Sequence, residues 1–297
     1  MKSTFFICLL LIFTTTIQAQ PFNTEVHPEG GSPLLLGKIN QDGLSENTYG
    51  VWFQKNKTAY TLKPEVIETL KEELSNYTIT LYMGTWCGDS KREVPRFYKL
   101  LEAANFPMER LTAVAVSRDS DTYKQSPGGE HEGVNIHRVP TFIVYKDGKE
   151  VNRIVESPVV SLEEDLSAII QGTYTSNYHG VTLVHDAIQE LGLEKFRKKK
   201  KKLVSQLKEE VTNWYELNTY SYTLFQAGKK QEAIEVATLN ILLYPNEAKV
   251  YENLGNKLKQ VEKKTEALEN YEKALGLNPE NEKLKANIAL LKKDGTN

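Results

Sequence analysis

Between residues 49 and 172 the apolar positions fall into short blocks with two different spacings. Unbroken β-branched and apolar runs at Thr78-Ile79-Thr80-Leu81-Tyr82-Met83 and at Leu111 to Val116 predict buried strands. Thr141 to Tyr145 and Glu150 to Val155, joined by Lys146-Asp147-Gly148-Lys149, predict a hairpin. Val51-Trp52-Phe53 predicts one further short strand. Helical spacing governs Val94, Phe97, Tyr98, Leu100 and Leu101, which predicts a helix over Ser90 to Ala104, and another follows over Ser161 to Gln171. Pro64 ahead of Glu65 to Lys71 fits a helix opening at its first turn. Strand, helix, strand, polar loop, hairpin and helix, in that order, predict an α/β unit over residues 49–172 around a small mixed sheet.

The chain ahead of this unit carries different signals. Residues 20–48 hold scattered polar residues, several prolines and glycines, and one apolar patch at Leu34-Leu35-Leu36, which predicts a loosely ordered lead-in supplying one strand. Met1-Lys2, the apolar run Phe5 to Phe13 and the small residue Ala19 before Gln20-Pro21 predict a cleaved signal peptide over residues 1–19. That run falls short of the ~20 apolar residues a membrane span needs, and no later segment is suited to cross one. The expected mature protein is exported, periplasmic or secreted. Cys8 leaves with the signal, so Cys87 becomes the sole thiol and any disulfide must join it to another molecule.

The C-terminal third repeats itself. Ala233 and Ala267 are 34 residues apart, as are Pro245 and Pro279, Leu217 and Tyr251, Tyr220 and Leu254, and Leu224 and Leu258. In the second unit Leu254-Gly255, Ala267, Tyr271, Ala274 and Pro279 occupy the motif positions, while the first has Ser221 and Asn240 at two of them. This pattern resembles tetratricopeptide (TPR) repeats. The resemblance implies an all-α TPR-type repeat domain over residues 212–297, closed by a helix at Leu284 to Leu291. Residues 183–211 are expected to stack on it as capping helices, and residues 173–182, with Gly180 and several polar residues, to serve as a linker. A domain of this kind offers a concave face suited to a protein or peptide partner.

At 297 residues the chain has room for about two domains. A net charge of −2, with 40% hydrophobic and 26% charged residues, gives no reason to expect nucleic acid as a partner. The basic run Arg197-Lys198-Lys199-Lys200-Lys201-Lys202 continues a helical pattern and reads as a solvated helix face. His131 and His137 have a six-residue spacing that fits no recurrent metal-ligand pattern, so neither a metal nor another cofactor is expected.

The chemistry lies in Trp86-Cys87-Gly88-Asp89-Ser90, with Pro95, Val139-Pro140-Thr141 and Asp147-Gly148. Together with the order of elements, these motifs resemble the thioredoxin family over about residues 50–172. A cysteine where a strand turns into a helix faces unpaired N–H groups that favour a thiolate, the form that attacks disulfides. The resemblance implies that Cys87 and Ser90 form the reactive pair of positions, that Trp86, Gly88, Asp89, Val139 and Pro140 contact substrate, and that Pro140 is cis. Three positions depart from the family. Ser90 replaces the second cysteine and cannot resolve a mixed disulfide, Leu81 stands where a buried aspartate is common, and Asp89 sets a carboxylate beside the sulfur, with Lys91 and Arg92 as offsetting charges. Two readings stay open. One is monothiol exchange with a client protein or a low-molecular-weight thiol; the other is a redox-inactive adaptor using both domains to bind proteins.

Overall fold

The structure, a computed structural model, describes residues 22–294; the expected signal peptide, with Cys8, lies outside the described residues. Six strands form one sheet: β1 (Thr24–Val26), β2 (Leu34–Ile39), β3 (Thr78–Met83), β4 (Leu111–Ala115), β5 (Thr141–Lys146) and β6 (Lys149–Val155), in the order β1-β2-β4-β3-β5-β6. The central β3 runs parallel to β4, with Leu81 opposite Ala113, and antiparallel to β5, with Leu81 opposite Phe142. Asp147 and Gly148, both with positive φ, turn β5 into β6 as the Asp-Gly pair predicts.

The helices of this unit are α1 (Gln41–Ser45), α2 (Asn47–Ala59), α3 (Pro64–Glu73), α4 (Gly88–Ala103) and α5 (Leu162–Gln171). Phe53 and Ile67 on these helices, Phe97 and Leu166 beside them, and Leu81, Phe142 and Ile154 from the sheet belong to one buried core. Phe97 meets Phe142 with ring centroids 4.3 Å apart. Because side chains alternate along a strand, Tyr82, Val114 and Ile143 face the other way. There they pack with Ile136 and Val139 of the loop before β5, which closes over the second face of the sheet. Arg153 of β6 holds that loop by donating from Nη1 to the carbonyls of Val134 and Asn135 at 3.0 and 3.2 Å.

A second, all-α domain follows: α6 (His179–Leu191), α7 (Leu193–Leu207), α8 (Trp214–Gln226), α9 (Lys230–Leu243), α10 (Ala248–Gln260), α11 (Lys264–Leu277) and α12 (Glu282–Asp294). Helices α8 with α9 and α10 with α11 pack as successive antiparallel hairpins. Ser221, at a crossing point of the first hairpin, is fully buried and donates to the Ala233 carbonyl at 2.8 Å. Leu284, Ile288 and Leu291 of α12 close the end of the array against Ala267, Tyr271 and Ala274. The molecule is thus a thioredoxin-like α/β unit followed by a helical repeat domain.

Four expectations change. Val51-Trp52-Phe53 lies inside α2: Tyr49 and Phe53, four residues apart, are buried while Val51 is 74% exposed, which is helical spacing. The lead-in contributes two strands instead of one, and β2 is bonded to β4 inside the main sheet. Part of the linker is helix, since α6 begins at His179. Gly180 there is a packing residue, because a Cβ on it would lie 2.5 Å from Val211 Cγ2 and 2.8 Å from the Glu210 carbonyl. The basic run is not wholly solvated either. Lys200 is buried in contact with Glu235, to which Arg197 also donates from Nε at 2.7 Å.

Candidate functional site

The reactive turn is built by short local bonds where β3 ends. The Cys87 N–H donates to the Gly84 carbonyl at 2.9 Å, and Cys87 caps α4 by accepting from the Lys91 N–H at 3.0 Å. Glycine at position 84 makes room for the indole of Trp86, which would lie 2.5 Å from a Cβ. The indole N–H donates to the Val116 carbonyl at 2.9 Å, fixing the ring across the end of β4. Thr85 accepts from the Leu35 N–H at 3.1 Å, which ties β2 to the turn. Ser90 is fully buried beneath it and accepts from the Gly84 N–H at 3.2 Å. The Ser90 hydroxyl therefore supports the turn's backbone.

Cys87 is half-buried, and its Sγ lies 3.2 Å from the Val139 carbonyl oxygen. The Val139–Pro140 bond is cis. Thr141 Oγ1 donates to the Arg138 carbonyl at 2.8 Å, and the Pro140 carbonyl accepts from the Glu156 N–H at 2.7 Å, so the loop beside the sulfur is held from both sides. Of the residues expected at the site, Trp86, Cys87, Val139 and Pro140 meet on one face of the turn. Gly88 is exposed at the first position of α4. The carboxylate of Asp89 is engaged by Arg92, Nη2 to Oδ1 2.8 Å, and Arg92 also binds the buried Glu93 at 2.6 Å. Leu81 is fully buried in the core beneath.

Lys124, Arg138 and Tyr123, which the sequence reading passed over, and His137, which it weighed only as a metal ligand, complete the surroundings. Lys124 is 5% exposed and donates to the His137 carbonyl at 2.5 Å. Burial lowers its pKa to about 7; Arg138 pushes the same way, while the charges of Cys87 and Glu156 oppose it. Arg138 sits against the rings of Tyr178 and Tyr215, pairs with Glu156 at 3.1 Å, and donates to Thr219 at 3.2 Å. His137 is buried between the rings of Tyr178 and Tyr220, and burial holds its pKa well below the ordinary value. Tyr123 bridges Trp86 of the turn and Tyr222 of α8, with centroid distances of 6.1 and 5.3 Å. The one sequence signal for this bridge is that Tyr123 is the sole aromatic residue between Leu111 and Phe142, in an otherwise polar loop.

The contacts from α8 share a face. Tyr215, Thr219, Tyr222 and Gln226 recur at intervals of four, three and four residues. Tyr215 and Thr219 meet Arg138, Tyr222 meets Tyr123, and the Gln226 carbonyl accepts from Gln125 at 3.0 Å. The helical domain therefore borders the reactive turn.

No protein-family model matches this chain. Two known proteins are similar to it. Thioredoxin Asp f 29 of Aspergillus fumigatus is 26% identical over 104 residues, covering 35% of this chain and 87% of that protein. Thioredoxin-3, mitochondrial, of Saccharomyces cerevisiae is 27% identical over 116 residues, covering 38% of this chain and 83% of that protein. Added to the sheet order and the cysteine-bearing turn, this partial likeness supports a thioredoxin-like family for the chain.

Proposed function

We propose that this protein carries out thiol–disulfide exchange through Cys87 alone, and that it works as an exported protein whose helical domain is of the tetratricopeptide type. The observation that carries the reading is a half-exposed thiol at the cap of α4, set against the Val139 carbonyl and flanked by Trp86. Cys87 gives its proton to solvent, and the thiolate attacks one sulfur of a client disulfide. A Cys87–client S–S bond forms as the client S–S bond breaks, and the departing sulfur leaves as a thiolate with the electron pair. Ser90 supplies no sulfur. The mixed disulfide therefore persists until a thiolate from outside, either a low-molecular-weight thiol or another cysteine of the client, attacks the client sulfur and frees Cys87. Export rests on the N-terminal apolar pattern, and the repeat type on the 34-residue spacing.

The test is to purify the protein under acid quench and map adducts on Cys87 by mass spectrometry, alongside exchange with a model disulfide. The expected result is a mixed disulfide on Cys87 and exchange that Cys87→Ser abolishes. A free thiol throughout, with no exchange, would overturn the reading. One observation favours the adaptor alternative: the Sγ contact uses the thiol as a donor to Val139 within the chain. In that case Cys87→Ser leaves partner binding unchanged.

A further inference from the structure

The ring bridge between the two domains has consequences for client choice. Trp86, Tyr123 and Tyr222 form a continuous aromatic path from the residue beside the thiol to α8. The path is not sealed, since Trp86 and Tyr123 are half-buried and Tyr222 is 36% exposed. Tyr123 also stands at the edge of a cleft of about 850 Å³ between the 117–136 loop and the helical domain, where Lys124, Ile136, Tyr220, Thr223 and Leu224 line it. That volume exceeds one side chain and accommodates a short stretch of extended polypeptide. Of the cations beside the path, Lys124 lies over the Tyr123 ring at 4.6 Å but is buried and turned to the His137 carbonyl, and Arg138 is paired with Glu156 and covered by Tyr178 and Tyr215. The path itself therefore offers exposed aromatic faces whose neighbouring cations are buried or paired, while the charges of the cleft, Asp119, Glu132 and Lys229, are of both signs, which suits an aromatic or long apolar side chain better than an acidic one.

Resting on the exchange reading, we infer that Tyr222, with Tyr123 and Trp86, recognises an aromatic or long apolar residue next to a disulfide-bonded cysteine of a polypeptide client. The helical domain thereby sets specificity at the thiol itself, in addition to any binding on its own repeat surface. Tyr222 acts by contact with the client chain and has no part in the sulfur chemistry.

The probes are the peptide Gly-Gly-Cys-Phe-Gly-Gly as its mixed disulfide with cysteamine, a departing group that carries no ring, and the same peptide with Gly in place of Phe. Attack by Cys87 on the peptide sulfur joins the peptide to the protein and expels cysteamine thiolate, so the peptide adduct, measured by mass spectrometry after acid quench, reports each exchange. The native protein should react about fivefold faster with the Phe peptide than with the Gly peptide, the size of one aromatic contact. Tyr222→Ala should bring that ratio close to one, while Tyr222→Phe should keep the preference. A preference retained in Tyr222→Ala, or absent from the native protein, overturns the inference. Should the native protein form no adduct with either probe, exchange itself fails, and recognition is then read separately. Anisotropy of a labelled, S-methylated Phe peptide on Cys87→Ser protein must weaken with Tyr222→Ala, and equal affinities overturn the inference in that arm.

Discussion

Replacing Lys124 by methionine tests how the loop beneath the thiol is built. Lys124 is 5% exposed, donates to the His137 carbonyl at 2.5 Å and lies over the Tyr123 ring at 4.6 Å, with no carboxylate bonded to it. Burial takes its pKa from 10.5 to about 7. In the unfolded chain the ammonium keeps its proton up to about pH 10.4, while the folded chain releases it near 7. Between those values the unfolded state binds more protons, so stability rises with pH. The buried charge weighs most against the fold below pH 7. The full difference amounts to about 5 kcal/mol, of which about 2 kcal/mol is regained between pH 7 and pH 9. Lys124→Met removes the titration and also leaves the His137 carbonyl without its donor, a loss of about 1–3 kcal/mol at every pH. The assay is urea unfolding at pH 6, 7, 8 and 9, followed by tryptophan fluorescence. The advantage of the variant over the native protein should fall by about 2 kcal/mol from pH 7 to pH 9. Parallel stability curves, or an advantage that grows with pH, would refute the assignment of a buried, uncompensated ammonium at this position.

Three further outcomes are expected. Lys257 in α10 is 3% exposed, bonds Asn253 at 2.8 Å and has its pKa lowered by burial to about 8. Lys257→Met should therefore raise the melting temperature followed by circular dichroism at pH 7, with a gain of up to about 3 kcal/mol that fades as pH rises through 8 to 10. Ser90→Cys places a second sulfur one helical turn from Cys87, and mass spectrometry should show an internal disulfide and faster release of trapped clients; persistent mixed adducts would count against this geometry. Glu235→Gln leaves the buried Lys200 without its counter-charge and should lower urea-unfolding stability by about 3 kcal/mol, whereas an unchanged midpoint would show that the pair contributes nothing.

The strands at Thr78–Met83 and Leu111–Ala115, the hairpin after Pro140 and the helix opening at Pro64 follow patterns of two to four residues, and such patterns are readable along the chain. Val51-Trp52-Phe53 misleads because three adjacent apolar residues fit either period. Only the pairing of Tyr49 with Phe53 against α4 selects the helix. Gly180 misleads in another way, since a glycine marks equally a flexible joint or a close approach. At the site, Cys87, Trp86 and Pro140 were legible because each sits in a compact motif. Tyr123, Lys124 and Tyr222 were not, because their roles depend on chain segments up to about a hundred residues apart meeting in space.

The sequence by itself determined the thioredoxin-like α/β order, the strand–helix turn with Cys87 and with Ser90 three residues on, and the 34-residue helical repeat, because backbone preference and side-chain period are local properties. Only the tertiary structure decided that one face of α8 lies along the loops beside Cys87, that Arg138 is held between the two domains, and that Lys124 is buried beneath the cis-proline loop. The physical reason is that docking depends on which surfaces remain unfilled once each domain has closed its own core, and no period along the chain records that.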